Sequence, residues 1–278
     1  MIPAPFEYRR SEAVDQAIQL LTDTPDAKLI AGGHSLLPLM RLRLARPAML
    51  VDISRMHDLK YVNEDGDQVA IGALTRHHDV AASETLLELC PILPYAAKLI
   101  GDPQVRHVGT IGGSVAHADP ASDMPTVLVA LGADLVIRGP AGSSRAVPAE
   151  RFFRGLFEPD LATNEVLTEI RVPKTAGRGW SYLKFRRRAQ DWALVGVAAI
   201  AGGGGRGGAS VALTNMSDRP LRATGVEEAL AGGADPAKAA QRTTEGSNPP
   251  SDTFASAEYR REVSKVLVQR ALEQAMAG

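Results

Sequence analysis

The 278-residue chain holds one cysteine, Cys90. A single thiol cannot form an internal disulfide, a cysteine-rich zinc site or a thiolate-held iron–sulfur cluster. Any redox chemistry carried by this chain therefore needs an organic cofactor. An excess of charge is lacking too. Lys plus Arg is 31 and Asp plus Glu is 32, a net charge of −1. A general polyanion binder needs a basic face, so no nucleic-acid partner is expected. No apolar run approaches the ~20 residues that span a bilayer, so no transmembrane segment is expected. The opening MIPAPFEYRR lacks the basic, apolar, small-residue order of a signal peptide.

What is present is enough for a packed core. Hydrophobic residues make up 45% of the chain, which excludes wholesale disorder. The length corresponds to about two domains, or one large one. Glycine (26) and proline (18) are clustered, and the clusters carry most of the information.

Periodicity predicts a helix over Ser11 to Thr22, capped by Ser11, with Val14, Ala17, Ile18 and Leu21 as its apolar stripe. Lys28 to Ala31 and Met49 to Ile53 read as short strands of a small α/β unit. Val69 to Ala73 reads as a strand, and Thr75 as the cap of a helix running through Val80. A helical pattern covers Leu86 to Ile100, and a loop-rich segment follows until a helix near Pro125. Asp134 to Arg138 is a strand closed by the Gly139-Pro140 and Gly142 turn, and Glu165 to Val172 is another. A composition break at Pro173 to Gly179 predicts a domain boundary near residue 176. Beyond it, Trp180 to Arg187, Ala193 to Ala201 and Ala209 to Asn215 read as three strands, with GGGGRGG (202–208) as a hairpin connection. A short helical piece covers Val226 to Leu230. Ser256 caps a final helix whose apolar face is Tyr259, Val263, Val266 and Leu267.

Two glycine segments stand out, Ala31-Gly32-Gly33-His34-Ser35 and Thr110-Ile111-Gly112-Gly113-Ser114. Without a Cβ, the backbone turns tightly and comes close to a ligand. Successive N–H groups in such turns form a concave donor surface for phosphate. Ser35, Thr110 and Ser114 add hydroxyls, so two such loops could grip the phosphates of a dinucleotide. The alternative is a pair of ordinary tight turns. Neither segment is a G-x-G-x-x-G fingerprint or a Walker loop. Gly33-His34-Ser35-Leu36-Leu37 fails as a nucleophile elbow, because Leu37 stands where glycine is required. His117, Asp119 and Asp123 lack ligand spacing for a metal and read as solvated turn residues or groups behind a site. His77-His78 reads as a surface pair.

The order AGGHSLLPLMRLRLARPAMLVDI, TIGGSVAHADPASDMP, LKFRRRAQDWALVGVAA and NPPSDTFASAEYRREV resembles the FAD-binding medium subunit of molybdenum hydroxylases. Within that family it is most similar to the carbon monoxide dehydrogenase medium-chain type, over essentially the whole chain. The resemblance implies an α+β chain. Residues 1–176 would form an FAD-binding domain of the vanillyl-alcohol oxidase (PCMH) type, with α/β subdomains at about 1–57 and 58–176. Residues 177–278 would form a C-terminal domain with a three-stranded antiparallel sheet and helices. FAD would lie between the subdomains, bound non-covalently.

The same resemblance assigns residues. Leu29, Ile30, Ala31, Gly32, Gly33, His34, Ser35 and Leu36 would wrap the FAD pyrophosphate, as would Thr110, Ile111, Gly112, Gly113 and Ser114. Asp123 matches a position that contacts the cofactor, as do Ile100, His117, Leu167 and Lys184. Trp192 would lie against the flavin ring; the alternative is a tryptophan packed in the core. Lys184, with Arg186, Arg187 and Arg188, could equally form a plain basic strand face or dock an acidic partner. No side chain is implied as nucleophile or general base, and no metal is implied on this chain. A large subunit would oxidise substrate at a molybdenum cofactor. A small subunit would carry two [2Fe–2S] clusters, and FAD here would pass electrons to an external acceptor. The complex would be a dimer of heterotrimers in the cytoplasm or at the inner face of the membrane. Other readings are the medium subunit of a purine, N-heterocycle or aldehyde dehydrogenase of the same family, a stand-alone flavin oxidoreductase, and a non-catalytic nucleotide-binding scaffold. The small C-terminal domain disfavours the stand-alone oxidoreductase.

Overall fold

Val14, Ala17, Ile18 and Leu21, spaced by three and four, are all buried along helix Val14–Asp23. This is the expected stripe, but Ser11 does not cap the helix. Ala13 holds the cap position without a side-chain bond, and the Ser11 hydroxyl donates to Ala13 O and Gln16 Oε1. The computed structural model describes residues 2–202 and 208–277.

The helix packs on a parallel three-stranded sheet of β1 (Glu7–Arg10), β2 (Lys28–Ile30) and β3 (Met49–Asp52), ordered β1-β3-β2. Nothing in the EYRR pattern signals β1. Its residues are all exposed; backbone pairing runs from Glu7 with Met49 to Arg10 with Asp52, and the Tyr8 hydroxyl and the Arg10 guanidinium also reach the Asp52 carboxylate. Next come β4 (Val62–Asp65), β5 (Gln68–Gly72), β6 (Asp134–Arg138), β7 (Ser144–Pro148), the small hairpin β8 (Phe153–Gly155) with β9 (Glu158–Pro159), and β10 (Val166–Pro173). Five of these form an antiparallel sheet ordered β4-β5-β10-β6-β7.

Helix formation departs from expectation at three places. The helix expected at Thr75 is His77–Ala82, and the Thr75 hydroxyl instead donates to Tyr61 O. The 86–100 pattern is two helices, Glu84–Leu89 and Ile92–Lys98. They break at Cys90-Pro91, where proline offers no N–H to continue a ladder. The segment read as loop contains helices Pro103–Arg106 and Ile111–His117.

The C-terminal sheet has four antiparallel strands rather than three: β11 (Trp180–Phe185), β12 (Val195–Ala201), β13 (Ala209–Thr214) and β14 (Leu221–Arg222). Two residues show no alternation, so β14 leaves no pattern in a Gly/Pro/Ser-rich stretch. The GGGGRGG connection falls mostly outside the described residues, at 203–207.

This sheet is covered on both faces. In β12, Ala198 and Ile200 join the core of the N-terminal part, whereas Val195, Val197 and Ala199 join a second core under the C-terminal helices. Helix Asp123–Leu131 is buried at every residue and packs against β12 and β13. The final helix is Ala257–Ala277, and Ser256 Oγ accepts from Tyr259 N as expected of its cap. Its buried face is rotated from the expected one, keeping Leu267 in the core and Val263 packed against it. Arg260, Ser264, Leu267, Val268, Ala271, Leu272 and Ala275 are buried, while Tyr259 and Val266 are each 48% exposed. Ser264, Ala271 and Ala275 let the helix sit close to the sheet between the larger Leu267, Val268 and Leu272.

Candidate functional site

The first glycine segment leaves the end of β2. Gly33 has φ +72°, a left-handed conformation open to glycine at no steric cost. Among the described residues, the N–H groups of residues 32–36 donate to nothing in the chain. Five consecutive donors therefore stand available, with His34 exposed and its neighbours half-buried. A Cβ on Gly32 would lie 2.4 Å from Val108 O. Only glycine lets this loop close onto the 108–109 backbone beside the second segment.

The second segment is built differently. It opens a helix rather than forming a turn. Thr110 caps Ile111–His117, and Gly113 N donates to its hydroxyl at 3.1 Å. Ile111 N donates to Thr75 O, Gly112 N to Ala73 O and Ser114 N to Thr110 O. A Cβ on Gly112 would lie 2.5 Å from Ala73 Cβ. Here glycine serves close packing against the chain beyond β5, and the backbone donors are already engaged. The half-buried Ser114 hydroxyl and the exposed Gly113 remain accessible.

A cleft of about 480 Å³ lies where the two segments meet, walled by Ala31, Leu74, Val108 and Thr110. Arg55, His57, Lys60 and Arg76 also line it, together with Ser54. Arg55 and Arg76 form no ion pair among the described residues. Burial and the Arg76 charge push the Lys60 pKa down; its ammonium donates to Ser54 O. Among the described residues, no acidic side chain lines this cleft. Sequence reasoning missed these cations because they are scattered along the chain and converge only when the first two sheets pack together.

The other assigned residues divide into groups. Asp123, the first residue of its helix, is 5% exposed and not a solvated turn residue. Tyr182 OH donates to its Oδ1 at 2.6 Å and Lys184 Nζ to its Oδ2 at 2.8 Å. Burial pushes the Asp123 carboxyl up, and the Lys184 charge and both hydrogen bonds oppose that shift. Lys184 is not on a basic strand face, since its side chain is only 3% exposed. It also donates to Leu99 O at 3.1 Å, which brings Ile100, Asp123 and Lys184 together. Trp192 is 60% exposed, which removes the core-packing alternative. Leu167 is buried in β10 among core residues. His117 sits against Phe157 with ring centroids 5.0 Å apart, and burial lowers its pKa.

Among the described residues, no group of three or more His, Cys, Asp or Glu could hold a metal. Asp119 instead accepts from Ala121 N and shapes its own turn. His77 is not at the surface: it is 4% exposed, and His78 stacks on His107. Burial, with Arg106 and His34 nearby, pushes the His77 imidazole down to about 4.

Open backbone donors beside a cation-lined cleft, with a buried ion pair between helix Asp123–Leu131 and β11, suit a binder of a dinucleotide cofactor. The comparisons make the class specific. Residues 4–175 match the FAD binding domain in molybdopterin dehydrogenase, and residues 180–275 match the CO dehydrogenase flavoprotein C-terminal domain. The chain is 42% identical to the carbon monoxide dehydrogenase medium chain of Hydrogenophaga pseudoflava, covering 100% of this chain and 99% of that one. It is 40% identical to the glyceraldehyde dehydrogenase medium chain of Sulfolobus acidocaldarius, covering 99% of each. A solved carbon monoxide dehydrogenase from Hydrogenophaga pseudoflava superposes with a TM-score of 0.94 at 44% identity, covering 100% of this chain and 99% of that one. The quinoline 2-oxidoreductase of Pseudomonas putida 86 superposes at 0.92 with 35% identity, with the same coverage. The chain belongs to the family of FAD-binding medium subunits of molybdenum hydroxylases. It is the flavoprotein component of an oxidoreductase.

Proposed function

We propose that this chain carries FAD between its glycine segments and relays electrons from the [2Fe–2S] clusters of a small subunit to an external acceptor. The observation that carries this reading is the run of five uncommitted N–H groups at 32–36. A pyrophosphate supplies the acceptors those donors lack, and Arg55, Lys60 and Arg76 offset its negative charge. The residues present therefore fit the cofactor. FAD, when bound, accepts electrons singly and releases them in pairs. The protein's tasks are to hold, orient and shield.

In this reading Leu29, Ile30, Ala31 and Ile111 support the two segments from behind. Thr110 and Ser114 contribute hydroxyls rather than backbone donors. Ile100, Asp123 and Lys184 wall the flavin end, and the exposed Trp192 ring covers one face. Leu167 acts from the core, holding β10 behind the site, and His117 acts with Phe157 at the rim. Residues 1–176 form the cofactor domain and 177–278 the domain that completes it.

We infer further that the chain works in a dimer of heterotrimers, with a large molybdopterin subunit that meets the substrate, in the cytoplasm or at the inner membrane face. Relatives at 42% and 40% identity carry different substrate names, which accords with substrate choice residing on another chain. Carbon monoxide is the substrate we adopt, because two of the matched medium chains come from carbon monoxide dehydrogenases. The test is the purified complex. It should show a flavin absorbance band that bleaches anaerobically on addition of carbon monoxide. Bleaching by glyceraldehyde instead would replace the substrate, and a complex without flavin would overturn the function.

A further inference from the structure

Trp192 lies on the loop between β11 and β12, and its 60% exposure leaves open what orients it. The loop root is closed by Leu194 N donating to Phe185 O at 2.8 Å. Two buried side chains then grip the two residues that follow Trp192. Asn215 Nδ2 donates to Ala193 O at 2.9 Å, and the Arg260 guanidinium donates to Leu194 O. Arg260 is 1% exposed and also bonds Pro250 O and Asp252. Asn215 does more than its neighbour. Its own N–H donates to Pro120 O at 2.8 Å, in the Asp-Pro-Ala-Ser-Asp turn that leads into Asp123. One residue thus ties the turn before Asp123 to the loop bearing Trp192, across the junction of the two parts of the chain. It holds φ +60° to do so, a left-handed conformation that asparagine tolerates better than most residues.

We propose that Asn215, backed by Arg260, is a positioning residue that sets the Trp192 ring against the flavin end of the site. It touches no cofactor atom and acts through the carbonyl of Ala193. The proposal rests on the reading that Trp192 covers the flavin. A single net hydrogen bond shifts a two-position equilibrium by about 2–10-fold, so losing the Asn215 amide should raise the share of undocked Trp192 by that factor.

The test uses the assembled complex and steady-state flavin fluorescence, which a stacked indole quenches. Asn215→Gly keeps the left-handed backbone and removes only the side-chain amide. It should leave FAD content and thermal midpoint close to wild type and increase flavin emission. Trp192→Ala should increase emission more, and adding Asn215→Gly to it should change nothing further. An Asn215→Gly complex with wild-type emission, beside a bright Trp192→Ala complex, overturns the role of Asn215 alone. Equal increments from Asn215→Gly with and without Trp192 do the same, because the residue then acts elsewhere. A Trp192→Ala complex with unchanged emission overturns the Trp192 reading and the proposal with it.

Discussion

Gly33 offers a perturbation whose size can be worked out in advance. Its φ is +72°, and an L-residue there costs about 1–2 kcal/mol. Space is not the obstacle. A Cβ would meet the ends of the Leu37 and Ile30 side chains at 3.0 and 3.2 Å, which can yield by a few tenths of an ångström. The donors of this loop have no partner in the chain, so an alanine can relax when the cofactor is absent and is strained when it binds. The strain should therefore appear in affinity. Gly33→Ala should weaken FAD binding by about 5–30-fold, read by equilibrium dialysis of the deflavinated complex. Gly33→Asn should lose less. Gly66→Ala is the control, since Gly66 has φ +58° with open space around it in the β4–β5 turn. It should lower stability and leave FAD affinity untouched. If Gly33→Ala lowers stability as Gly66→Ala does and binds FAD as wild type, the first segment is a rigid turn and not a cradle.

Two further predictions concern buried charge. His77 has its folded pKa lowered to about 4, against about 6.5 when unfolded. Its contribution to stability is complete above the unfolded value and is lost as pH falls toward the folded one. The unfolding free energy from denaturant titrations should therefore fall between pH 6.5 and 4 with a slope of about 1.4 kcal/mol per pH unit from this group; the same slope in His77→Leu would falsify the assignment. Lys184→Met leaves the Asp123 carboxylate buried without its cation, and should cost about 3–5 kcal/mol in urea unfolding. The Asp123→Leu, Lys184→Met pair should recover much of that loss, and a double variant no better than the single one refutes the coupling.

How much of this was legible beforehand depends on the kind of signal. The Val14, Ala17, Ile18 and Leu21 stripe and the apolar run of β12 follow from periodicity, because one or both faces are buried. Strand β1 has no buried face and left no pattern. On the final helix the pattern finds Val263 and Leu267 but not the rotation that turns Tyr259 and Val266 outward and brings Ser264, Ala271 and Ala275 to the sheet. At the site, the glycines were visible but their work was not. Gly32 and Gly112 answer to Val108 O and Ala73, contacts that arise only once distant segments meet. The cations Arg55, Lys60 and Arg76, and the tie made by Asn215, are likewise products of the tertiary fold and have no local signature.

The unequal state of the two glycine segments has a consequence for assembly. One segment finishes its own hydrogen bonding against Thr75 and Ala73; the other ends in five open donors. With FAD seated as proposed, the cofactor would supply hydrogen bonds that residues 32–36 lack and would be a visitor to residues 111–114. Free FAD concentration would then be a folding variable for the first segment, whose stability should rise with the logarithm of that concentration. Slow amide exchange should spread through the first segment as FAD is added and stay constant in the second. Cells short of flavin would meet a chain already folded at its second segment and still unfinished at its first.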